Sequence, residues 1–146
     1  MRKRGIYIIL LVCVLVMCLA CCTTEKMQES VQQEDTVWKD AIYSEDKSLG
    51  EGSKTFSLEV RADDKTVVFD ISTDADNLED ALVENKLIEG DKGPYGLYVK
   101  KVNGITADYD VDKNYWSLCK DGTPLQTGVG DTKVKGGEHF EFVRTQ

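Results

Sequence analysis

Histidine is the scarcest chemical group in this chain: His139 is the only one in 146 residues. Chemistry that needs paired imidazoles, a histidine dyad or a histidine-rich metal centre, is therefore excluded. Cysteine is scarce where it would matter. Of five cysteines, Cys13, Cys18, Cys21 and Cys22 crowd the first 22 positions, which leaves Cys119 alone in the remainder. A disulfide framework and a cysteine-rich zinc site are both ruled out by that distribution. Cys119 falls between Leu118 and Lys120 in a predicted strand with no histidine close in sequence, so it reads as a small, partly buried side chain rather than a nucleophile. Basic charge is also short, with 18 Lys and Arg against 26 Asp and Glu. Nucleic acid and anionic lipid headgroups reward basic patches, so neither is an expected partner. A Walker motif, a dinucleotide fingerprint, a nucleophile elbow and a His-Glu-x-x-His helix are all missing. Acid pairs such as Glu138 and Glu141 could move a proton in principle, but among so many carboxylates such a pair is what chance supplies, and it reads as a solvated face. No catalytic constellation is expected.

What is present begins with a leader. Arg2, Lys3 and Arg4 form a basic n-region, and Gly5 to Ala20 carries no charge over sixteen residues. That run is short for spanning a bilayer but suits the apolar part of an export signal. It ends in Met17-Cys18-Leu19-Ala20-Cys21-Cys22-Thr23, which resembles a bacterial lipobox, where the cysteine after a small residue receives the lipid. Cys21 follows the small Ala20, whereas Cys22 has Leu19 and Ala20 well placed before it. Cys21 is preferred, because the residue just before the cleaved bond is sterically the most restricted. An ordinary signal peptide or an uncleaved anchor is the alternative. A cysteine bearing more than one acyl chain would hold the protein stably at the membrane. The expectation is an extracellular, lipid-anchored protein whose residues 1–20 are the signal. Loss of that leader would leave 15 basic against 26 acidic side chains, a net charge of −11. Such a balance is compatible with a cation or a neutral ligand.

Residues 21–53 read as a polar tether. Glu, Gln, Ser, Asp and Lys dominate, and the apolar content is too low to offset the entropy of ordering. Val37, Trp38, Ala41, Ile42 and Tyr43 interrupt it with partial helical spacing. They form either a short element docked on the following domain or part of a disordered segment.

Residues 54–146 leave roughly ninety positions for one domain with one modest core. Phe56, Leu58 and Val60 alternate with Ser57, Glu59 and Arg61, which predicts a strand with one buried face. Asp63-Asp64 turns the chain, and Lys65 to Thr73 should return as the partner in an antiparallel hairpin. Asn77 is placed to cap a helix over about Leu78 to Lys86, whose Leu78, Ala81 and Leu82 share one face. A loop is expected from Gly90 to Pro94. Strands should follow at Tyr95 and Tyr115, with short pieces around Leu125 and Lys133-Val134 and a last strand from His139 to Arg144. The fold class is α+β: a small, mostly antiparallel sheet with one packed helix.

Two groups of residues in Tyr95 to Gly122 carry possible chemistry. The first is Asp108-x-Asp110-x-Asp112-x-Asn114, whose side-chain oxygens at every second position could turn together onto a hard cation such as calcium. Lys113 stands where a calcium hand needs glycine, and a strand rather than a helix should follow. An exposed acidic turn is the competing reading. The second group is aromatic: Tyr95, Tyr98, Tyr109, Tyr115 and Trp116 combine apolar area with polar edges, which suits a flat amphipathic ligand or a polypeptide. Core packing is the competing reading for Trp116. The Asp121-Gly122 pair is a strong hairpin-turn signal.

Tyr95-Gly96-x-Tyr98-Val99-x-x-Val102-Asn103-Gly104-Ile105, the acidic segment, Tyr115-Trp116, Asp121-Gly122, Gly128-Val129-Gly130 and Gly137-Glu138-x-Phe140-Glu141-Phe142 follow one another in an order that resembles the transcobalamin-like C-terminal domain family. That β-grasp-like module occurs in Gram-positive surface proteins and lipoproteins, and the resemblance covers about Lys54 to Arg144. It implies a non-catalytic binding domain. In transcobalamin and intrinsic factor the module closes over one face of cobalamin while a helical barrel holds the other, and this chain has no room for such a barrel. A corrinoid would therefore be bound by one face, or with a second protein. The positions matching the family pattern are Tyr98, Asn103, Tyr115, Trp116 and Asp121. Leu118-Cys119-Lys120 replaces a stretch that is usually more aromatic, and Gly137-Glu138 stands where Gly-Asp is common, which weakens transfer of ligand specificity more than transfer of fold. Three readings remain open: a small ligand such as cobalamin, calcium at the acidic segment, or a surface module meeting an envelope protein or transporter. None requires a cofactor.

Overall fold

A computed structural model describes residues 37–94 and 96–146. The leader, Cys21 and Cys22, residues 21–36 and Tyr95 lie outside the described residues.

The alternation in the first predicted hairpin is realised residue by residue. Strand β2 (Lys54–Ala62) buries Phe56, Leu58, Val60 and Ala62, and β3 (Lys65–Thr73) buries Val67, Phe69, Ile71 and Thr73. The two pair antiparallel from Lys54↔Thr73 to Ala62↔Lys65, across the Asp63-Asp64 turn. Asp63 takes φ 51° there, a left-handed conformation that aspartate tolerates better than most residues. Strand β9 (His139–Thr145) then inserts parallel to β2 and antiparallel to β7 (Tyr115–Lys120). With β1 (Lys47–Gly50) and β8 (Thr123–Pro124), these strands form a six-stranded sheet in the order β1-β3-β2-β9-β7-β8. A second, three-stranded sheet holds β4 (Ile88–Gly93), β5 (Gly96–Val102) and β6 (Ile105–Thr106).

Helix α1 (Leu78–Glu84) lies where its cap predicts, with the Asn77 side chain accepting from the Asp80 N–H at 2.8 Å. Two further N–H groups of its first turn are satisfied from outside. Leu78 donates to the Thr132 carbonyl at 2.8 Å and Glu79 to that of Val129 at 3.1 Å. The helix stops two residues short of expectation, because Lys86 turns left-handed at φ 57° and Leu87 N–H folds back to the Leu82 carbonyl. Leu78, Ala81 and Leu82 join Phe56, Leu58, Phe69, Phe140 and Phe142 in a single core. Burial of each such large side chain contributes about 1.5–3 kcal/mol.

The class is α+β and mostly β, and three local expectations are corrected. Residues 88–93 form strand β4 rather than a loop, since pairing with β5 satisfies a backbone that has little apolar content to betray it. The acidic segment, expected as a cation loop or an exposed acidic turn, contains a short helix, α2 (Tyr109–Asp112). Folded chain also begins well before Lys54. The Trp38 indole N–H donates to the Ala62 carbonyl at 2.9 Å, Tyr43 packs edge-on against Phe69 at 5.8 Å, and β1 pairs parallel with β3. Residues 37–53, expected as tether, are thus part of the domain. Trp38 joins the core cluster and Val37, Ala41, Tyr43 and Leu49 pack against it, while Ile42 stays about half exposed.

Candidate ligand-binding cleft

A cleft of about 270 Å³ opens between the edge of β5 and the edge of β7. Leu97 and Val99 form one wall, Tyr115 to Leu118 the other, and Leu125, Val129 and Phe142 the floor. The walls exist because both strands lack a full set of neighbours. Strand β8 pairs only with Cys119 and Lys120, and β6 only with Lys101 and Val102. Among the described residues, Gly96 to Val99 and Tyr115 to Ser117 therefore have no paired strand on the sides turned away from β4 and β9.

Tyr98 and Tyr115 stand at the rim, 51% and 39% exposed. Trp116 is 7% exposed and packs edge-on against Phe142 at 6.3 Å, so it belongs both to the core and to the lining. Its indole N–H is the one buried side-chain polar atom among the described residues without a hydrogen-bond partner. A buried donor left in this way costs roughly 1–3 kcal/mol.

The other two residues from the same sequence pattern sit elsewhere. Asn103 is fully buried at φ 51° and clamps the N-terminal segment. Its side chain accepts from Tyr43 N–H at 3.0 Å and donates to the Tyr43 carbonyl at 2.8 Å, while its own carbonyl accepts from Ile42 N–H at 2.9 Å. Asp121 occupies the exposed β7–β8 turn at φ 49° and does not line the cleft.

The acidic segment is not gathered around a vacant centre. The Asp108 carboxylate caps α2 by accepting from Asp110 N–H at 3.1 Å and pairs with Lys100 at 3.0 Å. Asp112 accepts from the N–H groups of Asp108 and Asn114 at 3.1 and 2.9 Å, and meets Arg144 at 2.9 Å. The Asn114 side chain donates to the Asp112 carbonyl. Among the described residues the Asp110 side chain meets no such partner. The contact with Lys100 holds the Asp108 carboxyl below the usual aspartate range. Burial pushes the Asp112 carboxyl up, but the two N–H groups and Arg144 outweigh it and bring the pKa down. No cluster of three or more histidine, cysteine or acidic side chains suited to a metal ion occurs among the described residues.

Sequence reasoning missed the floor. Val129 and Phe142 are ordinary apolar residues, and Leu97, Leu125 and Thr127 carry no pattern of their own. The one available signal was Gly128-Val129-Gly130, small residues flanking a buried valine.

The scaffold is a small α+β domain that carries an open cleft lined in part by aromatic side chains. The model for a domain of unknown function, DUF4430, matches residues 75–143. Among solved structures, 17 chains match this one. A protein from Ruminococcus gnavus, provisionally described as metal binding, is 32% identical with a TM-score of 0.61, over 64% of this chain and 98% of its own. Haptocorrin, solved in complex with Cbi, is 23% identical with a TM-score of 0.53, over 67% of this chain and 26% of its own. This chain thus spans about a quarter of haptocorrin, and that likeness is one of fold. No curated protein matches. The chain belongs to the DUF4430 family, and its fold is that of the transcobalamin-like domain.

Proposed function

We propose that this protein is a lipid-anchored, non-catalytic binding module on the outer face of the cell membrane, and that it captures an organic ligand in the cleft between β5 and β7. The observation that carries the reading is the cleft itself, an apolar floor under Tyr98, Tyr115 and Trp116 with an unused indole donor. Flat amphipathic molecules with hydrogen-bond acceptors on their rim match that lining, and a corrinoid is the candidate that the haptocorrin likeness brings forward. Anchoring rests on the basic, apolar leader and on Cys21 or Cys22 as the lipid acceptor. Titration with cobinamide, followed by tryptophan emission, should quench Trp116 saturably. A flat response up to millimolar ligand would remove the corrinoid. Metabolic labelling with a palmitate analogue tests the anchor, and label should disappear in Cys21→Ala if that cysteine is the acceptor.

A second reading is favoured by the description of the R. gnavus relative. A divalent cation such as calcium could bind at Asp110 together with Asp108, Asp112 and Asn114. It would have to displace Lys100 and Arg144 from the two flanking carboxylates. A calcium-dependent rise in melting temperature that Asp110→Ala abolishes would support this site, and an unchanged wild-type melting curve would dispose of it.

A further inference from the structure

Backbone as well as side chains walls the cleft, and this narrows what fits. We propose, resting on the binding role above, that its occupant is a polypeptide segment in extended conformation, added as a strand along the open edge of β7. That segment is apolar at alternate positions and carries a lysine or free amino group at the end nearest Glu79.

Alternation along β7 fixes which backbone groups are free. Lys120 and Thr123 close the two-residue turn, and the Leu118 carbonyl accepts from Leu125 N–H at 2.8 Å, so even-numbered residues face the β8 side. Asp121 N–H reaches the His139 carbonyl at 3.2 Å, so odd-numbered residues face β9. Trp116 is even-numbered and lies beyond the end of β8, so its N–H and carbonyl point out of the sheet edge with no strand among the described residues paired to them. An added strand meets such groups with main-chain hydrogen bonds, and its alternate side chains enter the pocket beside the edge. Here that pocket is the apolar floor of Leu125, Val129 and Phe142.

Charge sets the direction. Among the described residues lining the cleft none is charged, but the largely buried Glu79 carboxylate lies beside Gly96 and Gly130, the chain neighbours of the lining residues Leu97 and Val129. The Glu79 side chain is 15% exposed, and a Cβ on Gly130 would meet its Oε2 at 2.9 Å. Its Oε1 is 3.6 Å from Lys92, whose side chain is 82% exposed and free to swing away. In a molecule with this excess of acid, a cationic peptide end is the complementary choice.

The test screens the purified full-length chain against a library of acetylated heptapeptides, apolar at alternate positions, with lysine fixed at either end. Enriched peptides should slow exchange of the Trp116 amide at least tenfold. N-methylation of the peptide amides facing β7 should weaken binding at least tenfold, and Glu79→Gln should weaken the lysine-bearing peptides about threefold. Equal binding of N-methylated peptides would mean that the floor binds apolar side chains without strand pairing, which overturns the inference. So would a screen that enriches nothing while cobinamide still quenches Trp116, an outcome that leaves the proposed function standing. Protection of the Trp116 amide that depends on protein concentration alone would assign the edge to a second copy of the chain and likewise overturn it. Failure of peptides and cobinamide together would take down the underlying binding role as well.

Discussion

The acidic segment and the aromatic cleft both stand out as candidate sites, and the fold treats them in opposite ways. In residues 108–114 the carboxylates of Asp108 and Asp112 are fully engaged: Asp108 caps a helix and pairs with Lys100, and Asp112 takes two N–H groups and Arg144. In the cleft a buried indole donor and a stretch of strand edge are left over. Polar groups that the fold has already satisfied act as structure, and binding capacity resides in groups that it has not. An acid-rich motif therefore says less about ligands than an aromatic pair whose hydrogen bonds do not close.

The comparison can be broken experimentally, most forcefully at Asp112. Asp112→Ala removes the acceptor of two N–H groups and the partner of Arg144, whose side chain is only 13% exposed. Urea denaturation should show a loss of about 2–3 kcal/mol. A loss under about 0.5 kcal/mol, the ordinary range for a surface substitution, would show that the segment is not structural.

Acid should act on the same region. Asp108 and Asp112 have folded pKa values below those of the unfolded chain, so their contribution is complete above pH ~4 and disappears as pH falls through the folded values. Stability measured downward from pH 5 should drop, and it should drop less steeply in Asp112→Asn. Identical slopes would separate the acid response from this segment.

Trp116→Phe sharpens the other side. It deletes the orphaned donor while keeping an aromatic ring against Phe142, so stability should change by no more than about 1 kcal/mol. Cobinamide affinity should meanwhile fall by about five- to tenfold, the equivalent of one lost hydrogen bond. Unchanged affinity would show that the spare N–H serves no ligand.

The smallest effect is expected from calcium. A cation that must displace Lys100 and Arg144 should bind weakly, so 1 mM calcium should raise the melting temperature by less than about 2 °C. A larger rise, lost in Asp110→Ala, would reverse the ranking of the two regions.

Local rules made much of the fold legible. Alternation placed β2, β3 and β9, Asn77 marked the start of α1, and Asp63-Asp64 and Asp121-Gly122 marked two turns. Strand β4 escaped notice because Glu89, Gly90, Asp91 and Lys92 have the composition of a loop, and only β5 makes them a strand. Trp38 and Tyr43 were visible as an apolar cluster, but their docking depends on the Ala62 carbonyl, the Phe69 ring and Asn103, all distant in sequence. Of the candidate site, Tyr98, Tyr115 and Trp116 were legible as aromatics on predicted strands and do converge on the cleft. Asn103 and Asp121 share the same sequence pattern, yet they serve a buried clamp and a turn.

The amino-acid sequence by itself determined what depends on near neighbours: the period of each strand, the cap of the helix, the turns, the single histidine and the excess of acid. Tertiary structure alone decided that β9 lies beside β2, that β5 and β7 face each other across a gap, and that Asp112 is committed to Arg144. Hydrogen-bond alternation and capping act over a few residues and leave their mark in composition. A cleft consists of groups with no partner, and which groups those are is decided only when every distant segment has taken its place.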